Sequence, residues 1–192
     1  MENANRRRTI SGCLFIALAG GTAVVDLWTK DAIWELIGVV QAGDPPSVIH
    51  QERLHIIPNF FTLEATYNRG AFYGIFAGHT GWLAVLSALA VVVIVVILYV
   101  AMRQPTLPSV WFVVALGLIC GGTLGNFYDR ALIGAVRDWI KWYVVWNGDE
   151  KVWPNFNIAD SGICVGVSLL ILLEIVNSVR TKRAAKETAV ES

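Results

Sequence analysis

Three aspartates, Asp129, Asp138 and Asp160, fall between Gly121 and Asp160, with Asn126, Arg130 and Asn157 beside them. The stretch begins at the end of one apolar segment and closes at the start of another. Ionisable groups so near a bilayer are costly and seldom idle. Asp138 and Asp160 are the candidate pair for chemistry. Two adjacent carboxylates cannot both ionise cheaply, so one keeps a proton while the other is a base. Such a pair can deprotonate a water for attack on a peptide carbonyl and protonate the carbonyl oxygen or the leaving amine, and it titrates as a unit. From residue type alone, the same acids serve equally well as helix caps or as partners of Arg130, Arg137 or Lys141. Asp129, next to Arg130, favours that structural role. Arg137 precedes Asp138, and on an extended segment alternate side chains point opposite ways, which turns Arg137 away. Asn126 and Asn157 suit either orienting the carboxylates or satisfying buried backbone groups.

Elements that hold such a pair are membrane helices. Of the 192 residues 55% are hydrophobic and only 16% charged, and mean hydropathy is +0.56. Soluble domains carry about 25% charged residues. The formal net charge of zero gives no reason to expect a nucleic-acid partner. There is no Gly-rich phosphate loop, no HExxH and no His-x-His among His50, His55 and His79, so neither a cofactor nor a metal is expected. Cys13, Cys120 and Cys164 lie in apolar segments without CxxC spacing and read as small core residues.

The expected fold is an all-α membrane bundle of four transmembrane helices with a small extracytoplasmic β-sheet or cradle, forming one domain over 1–192. Spans are expected at about 10–28, 81–102, 110–125 and 158–176, extracytoplasmic segments at about 30–80 and 127–157, and cytoplasmic tails at 1–9 and 178–192. The first apolar run follows Arg6-Arg7-Arg8 and contains Ala17-Leu18-Ala19, a cleavage-like triplet. It continues to spanning length and ends in the polar patch Asp26–Lys30, so a retained helix is expected. Gly43-Asp44-Pro45-Pro46 reads as a turn. Leu54–Ile57 and Phe60–Tyr67 read as strands broken by Pro58-Asn59. Trp142–Trp146 and Lys151–Trp153 read as a hairpin about Asn147-Gly148. Gly117, Gly121 and Gly122 permit close helix packing.

The denser basic residues of the short tails and connector, Arg6 to Arg8, Arg103, Arg180, Lys182, Arg183 and Lys186, favour cytoplasmic termini. Trp28, Trp34, Trp82, Trp139, Trp142, Trp146 and Trp153 then form an interfacial belt and outer rim, with Trp146 and Trp153 equally suited to the sheet core.

Five motifs in order, Asp26-x-x-Thr29-Lys30, Asn68-x-Gly70-Ala71-Phe72, Gly125-Asn126-x-x-Asp129-Arg130, Val136-x-Asp138 and Phe156-Asn157-x-Ala159-Asp160, resemble those of the lipoprotein signal peptidase (type II signal peptidase) family. The resemblance covers most of the chain. It implies an aspartic endopeptidase of the bacterial inner membrane, cutting diacylglyceryl-modified prolipoproteins just before the lipidated cysteine. Asp138 and Asp160 match the catalytic positions. Asn68, Gly70, Asn126, Arg130 and Asn157 match positions lining the polar site, and Asp26 and Lys30 match a structural or substrate-placing motif. Partners so implied are prolipoproteins and membrane lipids, with a monomer as the default for a four-span bundle. Arg137 and Trp139 around Asp138, and the length of the Asn-Gly hairpin, depart from the usual family pattern. A transporter would place acids or bases centrally in several spans and often shows repeats; spans two and three do not, and no repeat is visible. A non-enzymatic scaffold would use the acids only as caps.

Overall fold

The computed structural model describes residues 2–43, 46–70 and 80–191. Ala71 and Phe72 of the second motif, His79 and the Asp44-Pro45 turn lie outside the described residues. In chain order the elements are α1 (Glu2–Leu36), β1 (Val40–Ala42), β2 (Ser47–His50), β3 (Leu54–Ile57), β4 (Phe61–Asn68), α2 (Thr80–Arg103), α3 (Val110–Leu132), β5 (Val136–Trp146), β6 (Asp149–Val152) and α4 (Ile158–Glu191). All four helices are long and apolar enough to cross a membrane. Large apolar side chains on their outward faces are exposed, Ile16 and Trp82 each at 70%, the pattern of helices whose surroundings are as apolar as their core.

α3 is the central helix and packs on α1, α2 and α4. Its glycines allow this. Gly117, Gly121 and Gly125 recur every four residues, one face of a helix, and turn toward α1, where Leu18, Ala19, Thr22 and Asp26 approach them; Gly122 faces Ala159 and Ile163 of α4. Among the described residues α2 packs on α3 and makes at most marginal contact with α4. The bundle core is Phe15, Ala19, Ile94, Leu98, Val113, Leu116 and Cys120. Cys13 and Cys164 are exposed, contrary to the expectation of buried thiols, because an apolar helix in an apolar medium has no polar side to mark its outside.

The second layer is a four-stranded antiparallel sheet, β3-β4-β5-β6, with β1-β2 a separate hairpin. β5 and β6 join through Asn147 (φ 52°) and Gly148 (φ 84°), the two positive-φ positions of a tight hairpin turn. Ile37, Leu63, Ala65, Trp139 and Ile140 form a core between the end of α1 and the sheet. Trp139 is thus a core residue, 8% exposed, and not part of an outer rim. Trp146 and Trp153 are exposed instead. α1 continues past the polar patch at Asp26–Lys30 as far as Leu36, and α4 remains helical to Glu191.

Candidate active site

Three asparagines organise the site, each by the same device. An amide has one accepting end and one donating end, so anchoring the carbonyl oxygen aims the NH2 group. Asn157 caps the N-terminus of α4. Its Oδ1 accepts the Asp160 N–H at 2.9 Å and Asp160 Oδ2 accepts the Asn157 N–H at 3.2 Å. This reciprocal pair is a capping box with aspartate at its third position, which explains the Asn-x-x-Asp spacing. The Asn157 NH2 group then donates to Asp138 Oδ1 at 2.7 Å. Asn68 ends β4, where its Oδ1 accepts the Gly70 N–H at 3.0 Å and its Nδ2 donates to Asp138 Oδ2 at 3.2 Å. The β4–β5 register sets Thr66 opposite Asp138 and Asn68 opposite Val136, making Asn68 and Asp138 diagonal neighbours on one face. Asn126, on α3, accepts from Lys30 Nζ at 3.2 Å and from Asn157 Nδ2 at 3.1 Å. Its own NH2 group donates to Asp160 Oδ1 at 2.7 Å.

Asp138 and Asp160 therefore meet across Asn157, and each of their four carboxyl oxygens receives one N–H donor. Asp138 is 2% exposed. Burial pushes its carboxyl well above the ordinary carboxylate range and the charge of Asp160 adds to this, while the Asn68 amide, the Lys30 cation and the Asn157 amide pull the other way. Asp160 lines a cavity of about 730 Å³ with Asn68, Asn126, Arg130 and Val136. The wall continues over Trp142, Trp153 and Phe156 on one side and over Leu83, Leu86 and Ala90 of α2 and Ile163, Cys164 and Val165 of α4 on the other. Trp142 stacks near Phe60, with centroids 6.1 Å apart, and meets Phe156 edge-on at 4.9 Å. Arg130 donates to the Gly70 carbonyl at 3.3 Å, and its buried Nε has no hydrogen-bond partner among the described residues.

Behind the site lies a buried ionic cluster. Lys30 Nζ is 2.7 Å from Asp26 Oδ2 and 3.0 Å from Asp129 Oδ2, with all three side chains 0% exposed. Both contacts are ion pairs. Asp129 also accepts the Arg137 backbone N–H at 2.9 Å and its guanidinium at 2.9 and 3.2 Å. Arg137 reaches Asp31 as well. Two buried cations thus balance Asp26 and Asp129. Arg137 turns away from Asp138, as strand alternation requires. Asp26 Oδ1 accepts the Ala159 N–H at 2.9 Å, binding the first turn of α4 to α1. Among the described residues no group of His, Cys, Asp or Glu is arranged to hold a metal.

The sequence motifs thus divide. Asn68, Asn126, Arg130 and Asp160 line the cavity, while Asp138 and Asn157 do not and are tied to that lining by hydrogen bonds to Asn68 and Asn126. Asp26 and Lys30 do not line it and stand one layer behind. Gly70 supplies backbone on both sides, its N–H to Asn68 and its carbonyl to Arg130. The cavity-lining residues of α2, Ser87 apart, and the thiol of Cys164 carry no polar signature and were not legible as site residues.

Residues 18–176 match the family model described as signal peptidase (SPase) II. The lipoprotein signal peptidase of Pseudomonas paraeruginosa is 34% identical over 159 residues, 83% of this chain and 92% of its own. That of Rhodopirellula baltica is 35% identical over 88% of this chain and 72% of its own, and that of Desulfitobacterium hafniense 36% identical over 79% and 97%. Two solved structures, each titled a bacterial membrane enzyme structure obtained by the in meso method, superpose with TM-scores of 0.67 and 0.61. Both are 26% identical, covering 85% and 83% of this chain and 88% and 90% of theirs.

Proposed function

We propose that this chain, which belongs to the signal peptidase (SPase) II family, is an aspartic endopeptidase that removes the signal peptide from diacylglyceryl-modified prolipoproteins, cutting before the lipidated cysteine. The observation that carries the reading is the shared setting of Asp138 and Asp160. They come from β5 and α4, each oxygen has one donor, and Asp160 lines a cavity that grades from polar to apolar, with Asp138 bonded to Asn68 of the same wall.

The chemistry follows from the difference between the two acids. The pair shares one proton at rest, assigned to Asp138 as the more deeply buried of the two. Asp160 faces the cavity as carboxylate and takes a proton from water as the water oxygen bonds to the scissile carbonyl carbon. The Asp138 proton passes to the carbonyl oxygen, giving a neutral gem-diol. Breakdown returns the balance. Asp160 gives its proton to the amine nitrogen, Asp138 recovers one from a gem-diol hydroxyl, and the C–N bond breaks to leave a carboxylic acid and a free amine. Arg130 and the asparagine amides hold the site polar without themselves exchanging protons.

The substrate's form suits the cavity. α2 and α4 both line it yet barely touch, so an apolar signal helix and acyl chains can enter sideways from lipid between them. The aromatic wall of Trp142, Trp153 and Phe156 then flanks the extended peptide. Acyl burial is worth about 0.8 kcal/mol per CH2, most of it already realised in the bilayer, so selectivity rests on the peptide and headgroup linkage near the aspartates. The sheet lies on the extracytoplasmic side of the bacterial inner membrane, with both termini cytoplasmic and Lys30 and Asp160 near the outer face. The protein works as a monomer without metal or cofactor.

The test is processing of a lipid-modified precursor by protein purified in detergent, with neither metal nor nucleotide added. Asp138→Asn and Asp160→Asn are each expected to insert normally and leave the precursor uncut. Normal processing by both variants would remove the reading.

A further inference from the structure

We propose that Lys30 is a positioning residue for the peptidase reaction, acting through Asn126 to hold the Asp160 carboxylate in place. The inference rests on the function proposed above. Lys30 does not touch the cavity. Its ammonium has three N–H donors and no acceptor, and three oxygens stand around Nζ: Asp26 Oδ2 at 2.7 Å, Asp129 Oδ2 at 3.0 Å and Asn126 Oδ1 at 3.2 Å. Only an oxygen of Asn126 can face that ammonium. The Asn126 NH2 group is therefore forced to the opposite side, where it meets Asp160 Oδ1 at 2.7 Å. A flipped amide would set NH2 against the ammonium and against the Asn157 NH2 group, and a carbonyl oxygen against the Asp160 carboxylate. Asn126 is 4% exposed, so solvent screens either clash only weakly.

The same turn of α1 locates the other end of the acid. Asp26, which pairs with Lys30, accepts the Ala159 N–H and fixes the first turn of α4. Lys30 thus sets the side chain of Asp160 through α3 while its partner sets the backbone. The charged groups around Asp160 are Arg130 on α3, Lys30 on α1 and Asp138 on β5. Asp26, Asp129 and Arg137 complete the charge surrounding Lys30 itself. Loss of the Lys30 cation disfavours the ionised form of the aspartate pair by Coulomb's law.

The deciding variant is Lys30→Met combined with Asp26→Asn, which removes one buried charge of each sign, keeps a side-chain oxygen for the Ala159 N–H and leaves the Asp129–Arg137 pair intact. Processing of the lipid-modified precursor is followed as kcat and KM against pH. Losing a hydrogen bond to a charged group costs about 10- to 100-fold. The expected result is a loss of that size in kcat, KM little changed, and an acidic limb moved to higher pH. In an Asn126→Ala background the same pair of changes should produce almost no further loss in kcat, since the path through Asn126 is already cut. A folded double variant with parental kcat and pH profile, or one whose effect survives in full in the Asn126→Ala background, overturns the inference. If the double variant does not fold, Asn126→Asp decides. It gives Lys30 a further carboxylate partner but removes the donor to Asp160, so kcat should collapse, and retained kcat overturns the inference. Failure of the parent protein to cut any lipid-modified precursor would instead sink the peptidase reading itself.

Discussion

Gly122→Ala tests whether the first turn of α4 is placed by backbone contact with α3. A methyl group at Gly122 meets the Ala159 carbonyl oxygen well inside 3.0 Å, with Ile163 Cγ1 at 2.9 Å and the Ala159 carbonyl carbon at 3.1 Å. Ile163 can turn aside. The Ala159 carbonyl cannot, because it belongs to the helix backbone and the N–H of the same residue is held by Asp26 at 2.9 Å. Restoring an ordinary separation of about 3.5 Å moves that turn away from α3 by roughly 1 Å. Asp160 rides on the turn while Asn126 stays on α3, so their 2.7 Å hydrogen bond opens past the usual limit of about 3.2 Å. Strain of this kind costs about 1–3 kcal/mol of stability, and a 1 Å misplacement at reacting groups costs about 100-fold in rate. The assay is gel-resolved cleavage of lipid-modified precursor by purified protein, paired with thermal unfolding. Gly117→Ala is the control: its methyl meets the Leu18 side chain at 2.8 Å, far along α3 from the aspartates, and should lower stability without a comparable fall in rate. A folded Gly122→Ala protein with parental kcat/KM would refute the reasoning.

Asp138→Asn should alter the pH dependence of stability. A carboxyl whose proton affinity is raised on folding binds more protons in the native than in the unfolded state, between its ordinary pKa of about 3.9 and its folded one. The parent therefore loses stability as pH rises through that window. The variant, which does not titrate, should gain on the parent steadily from about pH 4 upward, as read by thermal unfolding over a pH series; a flat or opposite trend would contradict the burial argument. Arg137→Met strips Asp129 of its guanidinium and leaves the buried cluster with excess negative charge, at a cost of about 3–5 kcal/mol, measured as the shift in unfolding midpoint. Gly148→Ala forces a side chain into φ +84° with open space around it, so it should cost about 1–2 kcal/mol and leave precursor processing unchanged.

How much of this was legible in the sequence depends on how local each cause is. The four helices follow from uninterrupted apolar runs, and the β5–β6 hairpin follows from Asn147-Gly148, since both signals sit within the element they describe. The separate β1–β2 hairpin has no comparable pattern. α1 was expected to end at its polar patch, yet it runs on to Leu36. The groups that neutralise Lys30 include Asp129, far along the chain, and a single-sequence reading sees the charge but not its partner. Trp139 was misplaced for a related reason: β5 buries it against Ile37 and Leu63, which only the register reveals. The Asn157–Asp160 spacing does announce a cap. That its remaining amide hydrogens aim at Asp138 is a product of tertiary structure.

The buried ionic cluster also bears on how the chain enters the membrane. Asp129 and Arg137 follow Lys30 by about a hundred residues, so at about 5–20 residues per second α1 leaves the ribosome on the order of ten seconds before them. During that interval Asp26 must neutralise Lys30 unaided, and their spacing of one helical turn, with a 2.7 Å separation, lets a nascent first segment cross into lipid as a self-cancelling dipole. Arrival of α3 then converts a transient local pairing into a latch, so that commitment to the assembled bundle waits on completion of the segment that also delivers Asn126.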